Sequence, residues 1–509
     1  VAEPFNLVSQ VKMTAPNSAK FSEESTTMAK KFAWLKATAA SLPLIAAFAF
    51  TPAIAADVYG GFAVTLKGYD GDKKTSVAYT GQIARHVLHD SLKKLVGSDM
   101  EQGAKFGRLL AYYGMKDAGR AIMAPTSKGP FIILQSGVDE ISKGKELVGK
   151  TYKGAIAGMP NGMTGQELVR FWLKKAAATP NGYDMENGYD YSQLVSKFIM
   201  GAVSYNQAVD NYLDEKLAAD NKPNDKPYSD GAYYTGKEHV WDEAFGYFGT
   251  PAHTMSLTPR QVYEIAKLGS KSDDPAAAFA LADANGDGKL DLKTEMTFGP
   301  AYYAAGFDAS VYDKSNGTSY LHTITQAFIN GRKVIADANG EKLTDAQRAQ
   351  LVGYADVIRT NWEQVLAEAT FKYAGSVYKD MTKLQTIIEA NGDTSKAFKT
   401  YLKHWGELKG FSLALQTGRD NMGETATRIN RLIGFGPLLL NASQVIDIDR
   451  SGDYIKDQGQ DWGEYMLHMA KLQKLLVDVF GVKAQNNAIS GDIADLAKQL
   501  GASTSAEND

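Results

Sequence analysis

The 509-residue sequence contains no cysteine, which removes disulfides, thiolate catalysis and Cys-ligated zinc or iron–sulfur centres together. Any metal must be held by oxygen or imidazole. A strong excess of one charge is missing too: 55 Lys and Arg stand against 58 Asp and Glu, a formal net charge of −3. No bulk positive field is offered to a nucleic-acid backbone, so DNA and RNA partners are excluded. Histidine is scarce, at positions 86, 89, 239, 253, 322, 404 and 468. His-Glu-x-x-His, Gly-x-Ser-x-Gly and Gly-x-Gly-x-x-Gly are all absent, which leaves zincin, serine-hydrolase and dinucleotide chemistry without a signature. Ser91-Leu92-Lys93-Lys94 fits Ser-x-x-Lys but lacks partner motifs and reads as a solvated basic face. What remains, 44% hydrophobic and 22% charged, is a globular composition long enough for one large or two medium domains.

The apolar stretch from Ala37 to Phe50 is short of the roughly 20 residues a spanning helix needs and is broken by Thr38, Ser41 and Pro43. It follows Lys30-Lys31 and precedes Ala53-Ile54-Ala55, the order of a secretory signal peptide at 28–55 with cleavage after Ala55. Residues 1–27 then read as a mis-called start. Removing 1–55 takes away five lysines and three glutamates and leaves a net charge of −5. The expected product is a soluble bacterial protein, periplasmic or secreted, with no membrane span, no lipid-bearing cysteine and an envelope protein as one candidate partner.

Alternation over 57–80 predicts a small N-terminal β-hairpin. Beyond it the period is helical: Ile83, Val87, Leu88, Leu92 and Leu95 are spaced by three and four. The same spacing predicts helices over 165–178, 191–218, 258–268, 318–336, 344–391, 395–417, 423–439 and 461–480. The expected organisation is an N-terminal helical half at 56–250, a connecting region at 251–343, a C-terminal helical half at 344–500 and a disordered tail at 501–509. Trp-x-Glu-x-x-Gly-aromatic occurs twice, at Trp241 to Tyr247 and Trp405 to Phe411, which suggests two pseudo-repeated halves.

Two constellations carry chemistry. Asp283, Asn285 and Asp287 occupy positions one, three and five of a calcium loop, Gly288 allows the sharp turn, Lys289 offers its carbonyl and Asp291 stands at position nine. Thr294 occupies position twelve, where a bidentate Glu is expected, and Glu295 follows one residue late. This EF-hand-like loop, 283–295, predicts Ca2+ as cofactor, closed by Glu295 if the backbone adjusts. The segment Asp447 to Asp453 has similar acidic spacing but no closing acid, and reads as a surface turn. The second constellation is His239 with Glu243, one turn apart on a helix, which with His86 and His404 gives a candidate site for iron or zinc.

Several segments resemble an uncharacterised bacterial envelope family, the domain of unknown function 4856. They are Tyr79 to His86, Gly201 to Gln207, Glu238 to Gly249 and Lys403 to Gly410, with the stretch through Asp291 and Phe298-Gly299. More distantly the chain is similar to the imelysin group, whose Gly-x-His-x-x-Glu pattern sits on two helical bundles tied to iron uptake. Here Gly236 stands three before His239 and Asp242 precedes Glu243. The resemblance implies a mainly α, imelysin-like helical bundle fold. The leading functional expectation is a non-enzymatic binding or scaffold protein for a small ligand or metal ion, with a link to metal acquisition. The alternatives are a metal-dependent hydrolase using His239 and Glu243, and a carbohydrate or peptide binder lined by some of the 26 Tyr and 6 Trp.

Overall fold

Helix starts are encoded as capping boxes. In the computed structural model, Thr164, Thr235, Thr258 and Thr344 each accept a backbone N–H three residues on, while Glu167, Glu238, Gln261 and Gln347 reach back. Orphan N–H groups are thereby satisfied at four helix entries. The described residues are 58–218, 221–311, 317–418 and 421–502. The expected mis-called start and signal peptide, and the tail from 503, lie outside them.

In chain order the longer helices are α1 Thr80–Val96, α2 Gln102–Gly114, α3 Gly165–Ala177, α4 Tyr191–Ile199, α5 Gly236–Phe248, α6 Pro259–Ala266 and α7 Pro275–Ala282. They continue as α8 Gly299–Asp308, α9 Tyr320–Asp337, α10 Asp345–Glu389, α11 Ser395–Ala414, α12 Gly423–Ile433, α13 Trp462–Phe480 and α14 Ile493–Leu500. The architecture is mainly helical. α4 runs on as π-helix through Met200–Tyr205 and Gln207–Tyr212, a widened geometry that recurs at functional sites.

The 45-residue α10 is the axis of the core. It is buried on one face near its ends and on every face from Val365 to Val377, as expected of a helix surrounded by others. α9, α11 and α13 pack along it, α4 lies on α11, and α1 lies on α4 and α5. The described residues form one compact unit, so helices from before 250 and after 344 share a core. Trp172, Trp241, Trp362 and Trp405 are fully buried, each contributing about 3 kcal/mol through apolar burial. Within the core, Glu368 on α10 accepts the N–H groups of Lys483, Ala484 and Gln485 and the Tyr320 hydroxyl.

The strands differ from expectation. Over 58–80 only one antiparallel bridge forms, Ala63 to Thr75, because this segment lies along α5 and spends its polar groups there. Tyr59 and Thr65 donate to Asp242 and Glu238. The antiparallel hairpins lie elsewhere: β1 Tyr183–Asp184 with β2 Tyr189–Asp190, and β3 Ser443–Ile448 with β4 Tyr454–Gln458. The acidic segment at Asp447 to Asp453 spans the β3–β4 turn. Among the described residues no helix is long and apolar enough to cross a membrane.

Candidate functional site

The loop at 283–295 follows α7 and precedes α8. Asp283 accepts the N–H groups of Asp287 and Gly288 at 3.1 and 2.8 Å. Asn285 Oδ1 accepts the Asp287 N–H and Asp287 Oδ1 the Lys289 N–H, turns that Asx side chains close locally. Leu290 is buried and anchors the loop: its N–H donates to Ile132 O at 2.7 Å and its carbonyl accepts the Leu134 N–H at 3.0 Å. Asp291 Oδ1 accepts from Gln135 Nε2 and the Lys293 N–H. Glu295 is turned inward and almost fully buried. One of its oxygens accepts the Ala284 and Asn285 N–H groups and the other the Asp291 N–H. Burial lifts its pKa above the usual carboxylate range.

The donor set is all oxygen, which suits a hard cation such as calcium. It includes an amide and the main-chain carbonyl of the exposed Lys289. Among the described residues no three His, Cys, Asp or Glu side chains are gathered to hold a metal by themselves.

α5 presents two polar faces. Glu238 and Asp242 point to one side, where the buried Arg332 of α9 meets Glu238 Oε1 at 3.1 Å and Asp242 Oδ1 at 2.9 Å. Ser76, Tyr59 and the Ala78 N–H complete this network. His239 and Glu243 point to the other side, into a cavity of about 300 Å³ bordered by Arg85, Lys145, Lys150 and Tyr212. The His239 ring stacks on Tyr234 with centroids 4.4 Å apart and meets the edge of Tyr228. Its Nε2 lies 3.8 Å from Glu243 Oε1, which itself accepts from Gln82 Nε2 at 2.7 Å. Burial lowers the His239 pKa, against the pull of Glu243.

The other two expected ligands are not brought here. His86 is buried, stacks on Phe298 and turns Nε2 to the carbonyls of Gly246 and Tyr247 at 3.1 and 3.0 Å. Burial pushes its pKa down to about 4. His404 pairs through Nδ1 with Asp380 of α10 at 2.6 Å. The set His239, Glu243, His86 and His404 is therefore dispersed over separate contacts.

A larger cavity, of about 620 Å³, lies among α1, α4, α6, α8, α10 and α11. Lys93, Lys94, Lys197, Lys267 and Lys403 line it, with Asp90 and Glu407 as its acids. Lys197 is buried 3.7 Å from Glu407 and sits over the rings of Tyr303 and Phe411. Burial pushes Lys93 down to about 7 and Lys267 to about 8, and lifts Asp90 to about 6. Burial alone would raise Glu407, but the ammonium groups of Lys197, Lys403 and Lys93 hold it below the usual range. Ser91 and Lys93 thus leave the solvated face expected of them: Ser91 is buried against Ala124, and only Lys94 is exposed. These lysines come from four separate helices or helix ends, so no linear motif marks them. The one sequence signal is Lys197 within Val195-Ser196-Lys197-Phe198-Ile199, a lysine inside an apolar run.

No curated protein and no solved structure matches the chain. Residues 174–279, which carry Lys197, His239, Glu243 and Lys267, match the model of a family described as Domain of unknown function (DUF4856), the family that the chain's motifs resemble.

Proposed function

We propose that the protein is a non-catalytic, exported binding protein whose ligand cavity is held in shape by a calcium ion in the loop 283–295. The carrying observation is the order of residues after the loop. Glu295 closes onto the loop backbone, and the next four residues, Met296, Thr297, Phe298 and Gly299, are a wall of the 620 Å³ cavity. An ion shared by Asp283, Asn285, Asp287, the Lys289 carbonyl, Asp291 and Glu295 would fix Glu295 and with it that wall. A calcium site of this kind binds with Kd of about 0.1–1 mM, enough for an extracellular module. Its location outside the cytoplasm rests on the signal-peptide pattern at 28–55, and the imelysin-like affinity on the two Trp-x-Glu-x-x-Gly helices. The dispersal of His86 and His404 removes the support for a hydrolytic metal site.

The experiment is calorimetric titration of chelator-treated protein with calcium chloride, beside the Asp283→Ala variant. One ion per chain and loss of the heat in the variant are expected. Absence of heat in the parent at millimolar calcium overturns the reading.

A further inference from the structure

We propose that the cavity among α1, α4, α6, α8, α10 and α11 binds a small hydroxylated organic anion with at least two negative charges, held by Lys93, Lys197, Lys267 and Lys403. This deepens the binding-protein reading above, on which it rests, but does not depend on calcium.

The charge count points to an anion. Five lysines face two carboxylates, and the ion pair that forms there is Lys197 with Glu407. Among the described residues Lys93, Lys267 and Lys403 make no ion pair with an acid, and the charge of Lys197 adds to the burial that lowers Lys93. Gathering ammonium groups away from water costs free energy unless a counter-charge joins them. The depressed pKa values of Lys93 and Lys267 are the mark of that unmet demand. A single carboxylate would answer one lysine, whereas a dianion answers lysines on opposite walls.

Two further features narrow the class. Phe298, Tyr302, Tyr303 and Tyr373 form an aromatic side to the cavity, which suits a carbon body between the charged ends. Glu407 Oε2 is buried and has no hydrogen-bond partner. A ligand hydroxyl donating to it would satisfy an acceptor that a plain dicarboxylate leaves bare. The volume lies within the range of small-molecule sites. Lys197 and Lys267 both fall in the segment matched by the family model.

The test is calorimetry of calcium-loaded protein at about pH 6 and low salt, where the lysines carry their protons, with malate, succinate and acetate as probes. Malate is expected to bind one per chain, succinate about tenfold more weakly for want of the hydroxyl, and acetate not measurably. Lys267→Gln and Lys403→Gln, both at half-buried positions, should each weaken malate about tenfold or more with the calcium heat unchanged and no loss of thermal stability in the ligand-free protein. Failure of both dianions to bind, or malate affinity unmoved in both variants, overturns the proposal. Equal affinity for malate and succinate overturns the hydroxyl contact to Glu407. A calcium response without anion binding defeats this inference alone, and anion binding without a calcium response defeats only the calcium reading.

Discussion

α5 and α11 carry the same triad and use it in the same way. Trp241 and Trp405 are both buried and donate their indole N–H groups, to Phe328 O and to the Tyr465 hydroxyl, each at 2.8 Å. Gly246 and Gly410 let a neighbouring helix approach closely: a Cβ at either would fall 2.8 Å from Gln82 Cβ or 2.6 Å from Lys197 Cβ. Three residues earlier, Glu243 and Glu407 reach the very side chains those glycines pack against, Gln82 and Lys197. The backbone device is shared, but the partner is a neutral amide in one copy and an ammonium in the other. His239 and Lys403, each two residues before its Trp, extend the contrast along the two cavity walls. One arrangement of helix, glycine and glutamate thus supports a tyrosine-lined pocket on α5 and a lysine-lined one on α11.

The largest way to break the comparison lies on the reverse face of α5. Glu238 and Asp242 clamp Arg332 there, whereas the corresponding residues of α11 are Leu402 and Gly406. Arg332→Met leaves two buried carboxylates without their cation, and we expect a loss of about 3–5 kcal/mol in denaturant unfolding. A loss under about 1 kcal/mol would show that the acids are protonated and need no partner.

Next in size are the glycines. Gly246→Ala and Gly410→Ala each force a methyl into a helix–helix contact, and each should cost about 1–3 kcal/mol. Similar losses confirm the shared device, while a large loss at one and none at the other would mean that the resemblance ends at the sequence.

Lys197→Gln sharpens the comparison by giving Glu407 the neutral partner that Glu243 has. The variant is expected to fold with a loss of about 1–2 kcal/mol, and the Glu407 pKa should rise, read from its carboxyl carbon by NMR. An unmoved Glu407 would place the other lysines, not Lys197, in control of its charge.

The last test is a pH trend. Burial lowers Lys93 and Lys409 to about 7, and Lys267, Lys372 and Lys237 to about 8. Unfolded lysines keep their protons to about pH 10. Across this interval the unfolded chain binds more protons than the native one, so stability rises with pH. The melting temperature of ligand-free protein should climb by several degrees between about pH 7 and pH 9, and an unchanged value would mean that these ammonium groups stay charged through that interval.

Much of the fold was legible because long amphipathic helices print their period. The pattern over 344–391 became α10 at Asp345–Glu389, and that over 461–480 became α13 at Trp462–Phe480. α7 was missed because Pro275-Ala-Ala-Ala-Phe-Ala-Leu-Ala has no polar stripe to set a phase. The alternation over 57–80 was real, but it reflects a segment lying on α5 with its polar groups turned to Glu238 and Asp242, not strand pairing. Of the motif at 238–243, spacing alone showed His239 and Glu243 on one face, while the partner of Glu238 and Asp242 lies some 90 residues on, at Arg332. The lysine cavity left a single linear trace, Lys197 inside an apolar run, since its cations meet only through tertiary packing.

The central claim is that calcium in the 283–295 loop fixes a wall of the binding cavity. Hydrogen–deuterium exchange in chelator and in millimolar calcium tests it most directly. Slower exchange confined to 283–299 and to the 128–135 segment bonded to Leu290 is predicted. Unchanged exchange in these segments, or a change elsewhere that spares Met296 to Gly299, would contradict the account.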